Sequence, residues 1–484
     1  MQPSIFNVQV PVPGRDEVFL MNTFSDAQLL VSSDVASLLS RAAADPPAPW
    51  SGEEQAALET LAEHGFLVSN RAAERARLDQ YFRDVREDGT QLRVTVLTTL
   101  QCNFACDYCI QGDHGDYNKN AAKMSLETAA EVVTWAQGRF DEVRPSRFVL
   151  TLFGGEPLLN LPVCYFLAEQ LWAATQARGI EMLVNVITNG LLLTEEVADR
   201  LIPYGLNGVK VTLDGDRETH NQMRPLRGGQ GTFDKIIANV RTVAPKVRIS
   251  IGGNFDAASV DSYPALLDFL AEQEFAPRLS RVAFKPVIKP SAPQVKSNII
   301  PLMAVGESGK PLAGACMTAA GSGIGSGKAS SVCDNCHFVD DQMMHLIEET
   351  EKRGFATLDG VHMGPCEIHK KHAHTIGPEG TLYACPGFAG EKQQSVGNIQ
   401  GRADVGQAAI AAKYEALAAW KACGDCAFIP VCAGGCTTAA HAEFGDIQKP
   451  NCHLPLFEAG VKALAMKAAG VQPAASGAAP MAAQ

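Results

Sequence analysis

No stretch of this sequence reaches the roughly 18 to 20 consecutive apolar residues of a membrane-spanning helix, so no membrane span is expected. The opening residues, MQPSIFNVQVPVPGRDEVFL, lack the charged start and continuous apolar run of a secretory signal, which points to the cytoplasm. An excess of positive charge is missing as well. The 41 Lys and Arg against 53 Asp and Glu leave a net charge of −12, which argues against nucleic acid as a partner, because a phosphate backbone is held by clustered cations. No internal repeat is visible. Cysteine, by contrast, is plentiful: there are 14, and in a reducing compartment they suggest metal ligands more than disulfides. At 484 residues and 46% hydrophobic composition the chain is long enough for two or three domains.

Residues 1–90 read as a small α+β module. Val8–Val12 and Val18–Met21 have strand character, Asp34–Arg41 and Ser51–His64 have helical spacing, and Gly65–Val68 returns to strand. The order resembles a winged-helix element of the kind that grips leader peptides in peptide-maturation enzymes; a cap that stabilises the next domain is the other reading. From 91 to 290, apolar runs at Leu92–Leu97, Phe148–Phe153, Met182–Ile187, Gly208–Leu213, Val247–Ile251 and Arg281–Val287 alternate with amphipathic stretches such as Leu126–Arg139, Cys164–Ala177 and Phe233–Val243. Repeated strand–helix units predict an α/β fold with a parallel sheet, open or closed as a barrel, whose functional groups sit on loops after the strands. Residues 291–365 form a less regular insert with a Gly-rich loop at 321–327, residues 366–455 concentrate cysteine, and 468–484 is an Ala/Pro/Gly-rich tail expected to be disordered.

Cys102, Cys106 and Cys109 follow the first barrel strand with the spacing C-x3-C-x2-C, and no fourth cysteine is near. Soft thiolates select iron–sulfur clusters, zinc or copper, and a cubane cluster normally takes four. Three leave one iron open. The second strand ends in Phe153-Gly154-Gly155-Glu156-Pro157, where the paired glycines permit close backbone approach and Glu156 offers an acceptor to an ammonium group. Together these two motifs resemble the radical S-adenosylmethionine (SAM) superfamily. The resemblance implies a partial (β/α)6 TIM-like barrel and a 4Fe–4S cluster on Cys102, Cys106 and Cys109 whose fourth iron binds SAM. It places Gly154, Gly155, Glu156 and Pro157 at the methionine amino group and Tyr108 near the adenine. Similar TNG and S/T-x-D-G…H-x-x-x-R elements, here at Thr188–Gly190, Thr212–Gly215 and His220–Arg224, put Asn189 and Thr212 against SAM and pair Arg224 with its carboxylate. Such enzymes, fed by an external low-potential electron donor, cleave SAM reductively and use the 5′-deoxyadenosyl radical to abstract hydrogen.

The C-terminal cysteines run Cys366-x13-Gly380-x4-Cys385, then Cys423-x2-Cys426-x5-Cys432-x3-Cys436, then Cys452. This pattern resembles the seven-cysteine SPASM extension; zinc is the alternative for such pairs in isolation. The resemblance implies two auxiliary 4Fe–4S clusters, one on Cys423, Cys426, Cys432 and Cys452, the other on Cys366, Cys385 and Cys436. The second is one thiolate short. Cys316, Cys333 and Cys336 lie outside the pattern and leave three readings open: the missing ligand, another metal, or a redox pair. Cys164 reads as a core cysteine, and His369, His372 and His374 as either tuning groups beside a cluster or a solvated turn. The expected function is a radical SAM oxidoreductase of the SPASM maturase type. It would modify a ribosomally made peptide or a protein side chain, leader-borne or not, by thioether formation, carbon–carbon crosslinking, epimerisation or oxidation. The alternative is a sulfatase-maturating-type enzyme that forms formylglycine, although those usually carry the three-cysteine loop close to the N-terminus. No residue is singled out as catalytic acid or base. An electron carrier without catalysis would have no need of Gly154–Pro157.

Overall fold

The computed structural model describes residues 1–43, 50–109, 121–287, 334–357, 361, 364–401 and 404–471, with the side chains of the helix starting at 334 described from residue 341 onward. The Gly-rich loop at 321–327, Cys316, Cys333, the side chain of Cys336 and the tail from 472 lie outside these residues.

The N-terminal part contains β1 (Gln2–Pro3), β2 (Asn7–Pro11), β3 (Glu17–Asn22), β4 (Ala27–Ser32), α1 (Ser33–Ala42), α2 (Gly52–Glu63), β5 (Leu67–Val68) and α3 (Arg71–Glu87). Strands β2, β3 and β4 form an antiparallel sheet in that order, and β1 pairs with β5. Helix α2 starts where its residues dictate: Ser51 and Glu54 close a reciprocal capping box. Two elements escape the sequence reading. In β4, Leu29, Leu30 and Val31 run apolar without alternation, and α3 carries charge on nearly every side, burying only Glu74 and Leu78. This part rests on the C-terminal end of the chain. Phe19 and Met21 share an apolar cluster with Phe428, Phe457 and Val461, while Phe6 and Leu78 pack with Trp420 and Ile429.

Strands β6 (Gln91–Thr99), β7 (Arg147–Gly154), β8 (Glu181–Thr188), β9 (Leu206–Thr212), β10 (Arg248–Phe255) and β11 (Leu279–Pro286) lie side by side in chain order, all parallel. Between them run α4 (Leu126–Val143), α5 (Leu161–Gln176), α6 (Glu195–Leu201), α7 (Arg217–Met223), α8 (Phe233–Val243) and α9 (Tyr263–Ala271). One parity of each strand is buried against the helices: Val94 and Val96, Leu150 and Leu152, Val209 and Val211 share a core with Val132, Phe140, Leu167 and Ile236. Helices on one face leave the other as the inner wall of a partial barrel, with the loops after the strands at its top.

The longer elements that remain are α10 (Asp334–Lys352), β12 (Ala373–Ile376), β13 (Thr381–Tyr383), β14 (Ser395–Asn398), α11 (Val405–Glu415), α12 (Thr437–Phe444) and α13 (Leu454–Ala468). Strand β12 pairs in parallel with β6, Ala373 opposite Arg93 and Ile376 opposite Val96, so the main sheet continues to nine strands. The cysteine-rich segment is therefore joined to the barrel by strand pairing. Among the described residues no helix is long and apolar enough to cross a membrane.

At this junction His374 packs edge-on against Trp135, with rings 5.1 Å apart, and its buried Nε2 has no hydrogen-bond partner among the described residues. Burial first, then the charges of Arg139 and His372, hold His374 down at about 3. Burial also lowers His369 to about 4. A base whose folded pKa is depressed contributes fully above its unfolded value of 6.5. Below that, the unfolded chain takes up a proton that the folded chain refuses, so stability falls as the pH drops toward 3 or 4. Between pH 7 and pH 5 each histidine is expected to remove about 2 kcal/mol. Urea midpoints measured at both pH values check this: His374→Gln should flatten the dependence, and an unchanged slope would assign the acid sensitivity elsewhere.

Candidate active site

The three-cysteine loop is laid directly on the end of β7. Gly155 N–H donates to Thr99 O at 2.9 Å and Glu156 N–H to Gln101 O at 2.8 Å, the residue before Cys102. Both glycines are required by this contact. A Cβ on Gly154, whose φ is +140°, would strike Thr99 O; one on Gly155 would strike Gln101 O and lie 2.6 Å from Leu100 O. Pro157 opens a short turn whose carbonyl accepts the Thr98 hydroxyl at 3.1 Å and the Cys164 thiol at 3.3 Å, which places Cys164 in the core.

Glu156 is fully buried and ties the ends of β7 and β8 together. Its Oε1 accepts from Leu158 N–H at 3.0 Å and the Thr188 hydroxyl at 2.8 Å, and its Oε2 from Asn189 N–H at 2.7 Å. Burial pushes the carboxyl above its usual range, against three hydrogen bonds that favour the anion. Asn189 reaches back to the cysteine loop, its Nδ2 donating to Asn103 Oδ1 at 2.7 Å.

A second joint closes the other side. The carboxylate of Asp214, fully buried, accepts the Tyr108 hydroxyl, Arg224 Nη1 at 3.3 Å and Asn254 N–H at 2.7 Å; Arg224 also donates to the Tyr108 oxygen. His220 fixes the turn from within: Nδ1 accepts Asp214 N–H at 3.1 Å and Nε2 meets the Thr232 hydroxyl at 3.0 Å, which in turn donates to Arg224 O. Burial and the Arg224 charge keep this imidazole neutral. Tyr108 and Arg224 thus meet in one buried network, while Thr212 ends β9 on the inner face opposite Gly252. Asn103, Thr188, Asp214, His220 and Asn254 were not among the expected site residues. Asp214 and His220 carried a signal in the D-G…H-x-x-x-R spacing; Asn103 and Asn254 carried none.

The thiols fall into three neighbourhoods. The ionisation of Cys106 is opposed by Cys109, and that of Cys102 by Cys106; that of Cys385 by Cys366 and Cys436; that of Cys423 by Cys432, Cys426 and Cys452. Burial, the larger cause, raises Cys102 and Cys423 to about 12 and Cys106 and Cys432 to about 11. Thiols in this position ionise readily only around a positive centre, which is what a metal cluster supplies. Backbone amides are already aimed at the sulfurs two residues before them, Phe104 N–H at Cys102 Sγ and Gly387 N–H at Cys385 Sγ, each at 3.4 Å. The same arrangement serves Cys366 from Ile368, Cys426 from Phe428 and Cys432 from Gly434. Among the described residues no three His, Cys, Asp or Glu donors converge as a single metal ion needs. The donor set suits clusters held by spaced thiolates. For SAM, the Nε of Arg224 is a buried donor with no partner among the described residues, suited to a carboxylate.

Residues 96–252 match the family model of the radical SAM superfamily. The Fe-coproporphyrin III synthase of Methanosarcina barkeri is 28% identical over 185 residues, 37% of this chain and 41% of that protein. A GTP 3′,8-cyclase of Synechococcus sp. is 32% identical over 167 residues, 34% of this chain and 44% of the cyclase. The chain therefore spans less than half the length of these curated relatives. Among solved structures, native anSMEcpe with bound AdoMet superposes with a TM-score of 0.55 at 16% identity, over 78% of this chain and all of that one. Native anSMEcpe with bound AdoMet and the Kp18Cys peptide gives the same score and identity over 79% of this chain and all of that one. The sequence match runs from within β6 to within β10 and includes the three-cysteine loop, and the likeness in fold extends beyond it: residues 96–252 match a radical SAM domain in sequence and lie within the part of the chain that shares the fold of anSMEcpe.

Proposed function

We propose that this enzyme is a SPASM-type maturase that modifies a ribosomally made peptide or a protein side chain. The observation that carries the reading is the division of the seven C-terminal cysteines into Cys366, Cys385 and Cys436 on one side and Cys423, Cys426, Cys432 and Cys452 on the other. When bound, the clusters and SAM supply reductive cleavage, a hydrogen-abstracting radical and a route for the electron that remains. The residues do the rest. Cys102, Cys106 and Cys109 hold the core cluster; Arg224, supported by Asp214, binds the SAM carboxylate; Glu156 and Asn189 keep the cysteine loop against β7 and β8. The Glu156 carboxylate, fully buried and already accepting three hydrogen bonds, would serve the SAM ammonium by holding the Gly154–Pro157 turn rather than by direct contact.

Two surfaces suit a peptide. Strand β4 is an edge, with Leu30 39% exposed beside Leu29 and Val31 and with no charge or proline to blunt it. An extended leader adds there as a further strand. A cavity of about 700 Å³ opens between the barrel top and the C-terminal hairpin, lined by Leu100, Ala122, Tyr383, Lys392, Gln407 and Ile410. A second reading, formylglycine formation, draws support from the likeness in fold to anSMEcpe.

Anaerobic reconstitution followed by SAM and dithionite is expected to give 5′-deoxyadenosine and methionine; their absence would overturn the radical reading. Co-expression with the short open reading frames beside the gene, read by mass spectrometry, separates the outcomes. Loss of two hydrogens marks crosslinking or oxidation, and an aldehyde in place of Cys or Ser marks the second reading.

A further inference from the structure

The inner wall of the barrel carries a row of cations that the site above does not employ. On β9, β10 and β11 the residues Val209, Val211, Ile249, Ile251, Val282 and Phe284 are buried with the helices. The alternate residues Lys210, Ser250, Arg281 and Lys285 therefore face inward. Register aligns them: Ser250 stands opposite Lys210 on one neighbouring strand and opposite Arg281 on the other. Lys285 lies two layers nearer the strand ends, beyond Ala283 and Gly252 and opposite Asn254, whose Nδ2 donates to the Tyr108 oxygen at 3.3 Å. Gly252 leaves room for the lysine to lie across the sheet, since a Cβ there would come within 2.5 Å of Lys210 Cε.

None of the three cations has an ion-pair or hydrogen-bond partner among the described residues. Although Lys210 opens onto the inner space, the strands around it strip away bulk water; that desolvation, then Lys285 and Arg281, lowers its pKa. Three like charges on one wall, none of them paired among the described residues, are unfavourable in a chain that has 53 carboxylate side chains available to neutralise them. What completes them is an anion. A guanidinium fork, two ammonium groups and a hydroxyl match the lone pairs of a carboxylate.

We propose that Lys210, Arg281 and Lys285, with Ser250, hold a carboxylate of the substrate, an Asp or Glu side chain or a chain terminus, on the inner wall, with Lys210, Ser250 and Arg281 below the candidate SAM site and Lys285 level with its Asn254 edge. The inference rests on the peptide-modifying reading and narrows it to an acidic substrate position. SAM is the other source of a carboxylate here, but Arg224, whose buried Nε has no partner among the described residues, already provides for it.

The test uses the full chain, reconstituted anaerobically with SAM present, and glutarate as the probe against its neutral isostere glutaramide. Acylation of Lys210 Nζ by a small reagent is followed by peptide mapping. Saturating glutarate is expected to slow the labelling about tenfold while glutaramide leaves it unchanged. Arg281→Met should abolish the protection, and Lys210→Met and Arg281→Met should keep their affinity for SAM to within about twofold. Equal effects of glutarate and glutaramide, or none from either, overturn the proposal. So does protection of Lys210 by SAM alone together with a tenfold loss of SAM affinity in the two variants, which would assign the cations to the cofactor. Formation of 5′-deoxyadenosine by the unsubstituted protein tests the underlying reading separately. Product without glutarate protection sinks only the anion site; protection without product sinks only the radical reading.

Discussion

Gly155→Ala is expected to lower SAM cleavage about 100-fold while leaving a folded protein. The added methyl group would meet backbone, not a side chain that can turn away: Gln101 O and Leu100 O form the opposing wall, the latter 2.6 Å from the new carbon. The main-chain bonds Gly155 N–H to Thr99 O and Glu156 N–H to Gln101 O hold that wall in place. Relief therefore comes only by moving the segment that leads into Cys102, and with it the three thiols relative to Asn189 and Arg224. Overpacking of this kind costs about 1–3 kcal/mol, too little to unfold an α/β domain and enough to displace a loop. Iron content and SAM affinity of the variant, set beside its circular dichroism, separate the two effects. Wild-type turnover would show that the loop is positioned by something other than this contact. Gly154→Ala should be the more severe, because its φ of +140° adds backbone strain to the collision with Thr99 O.

The glycines show how far the sequence speaks and where it stops. Paired glycines beside a Glu and a Pro announce a close backbone approach, and that much is visible from residue type. What approaches is not. The partner of Gly155 is the chain's own cysteine loop, more than fifty residues earlier in sequence. The same device recurs at Gly434 and Gly435, where a Cβ on the second would strike Asn451 O and the Asn451 amide bonds Gly434 O at 2.9 Å, drawing Cys452 toward Cys432. Strand positions and cysteine spacing were legible because they are local patterns of period two or fixed offset. The pairing of β12 with β6 was not, nor the meeting of Tyr108 with Asp214 and Arg224, which joins residues 106 and 116 positions apart. Apolar alternation says which face of a strand is buried and nothing about its neighbour. The alignment of Lys210 with Arg281 through Ser250 follows from register between three strands, and register is a property of the folded sheet.

Asp214→Asn is expected to cost about 3–5 kcal/mol, because it leaves the Arg224 guanidinium buried without its counter-charge. The pair is shielded, with the Asp214 side chain fully buried and that of Arg224 10% exposed, so solvent cannot take over. The amide still fills the space, but one of its faces now presents N–H toward Arg224 or the Tyr108 hydroxyl, both of which donate to the carboxylate. Function should suffer through the same contacts. Tyr108 sits one residue from Cys109, and releasing its hydroxyl frees the end of the cysteine loop, while Arg224 loses the brace that points its Nε at the candidate carboxylate position. Removing both charges with Asp214→Asn and Arg224→Gln should be less destabilising than the sum of the single changes, since an uncompensated buried charge is the main penalty in the first. Denaturant midpoints for the four proteins of this cycle measure the coupling. Strictly additive costs would mean that water or another group already neutralises Arg224, and that the cysteine loop is held there by its backbone bonds, Ala105 N–H to Pro225 O at 2.9 Å and Arg227 N–H to Asn103 O at 3.2 Å.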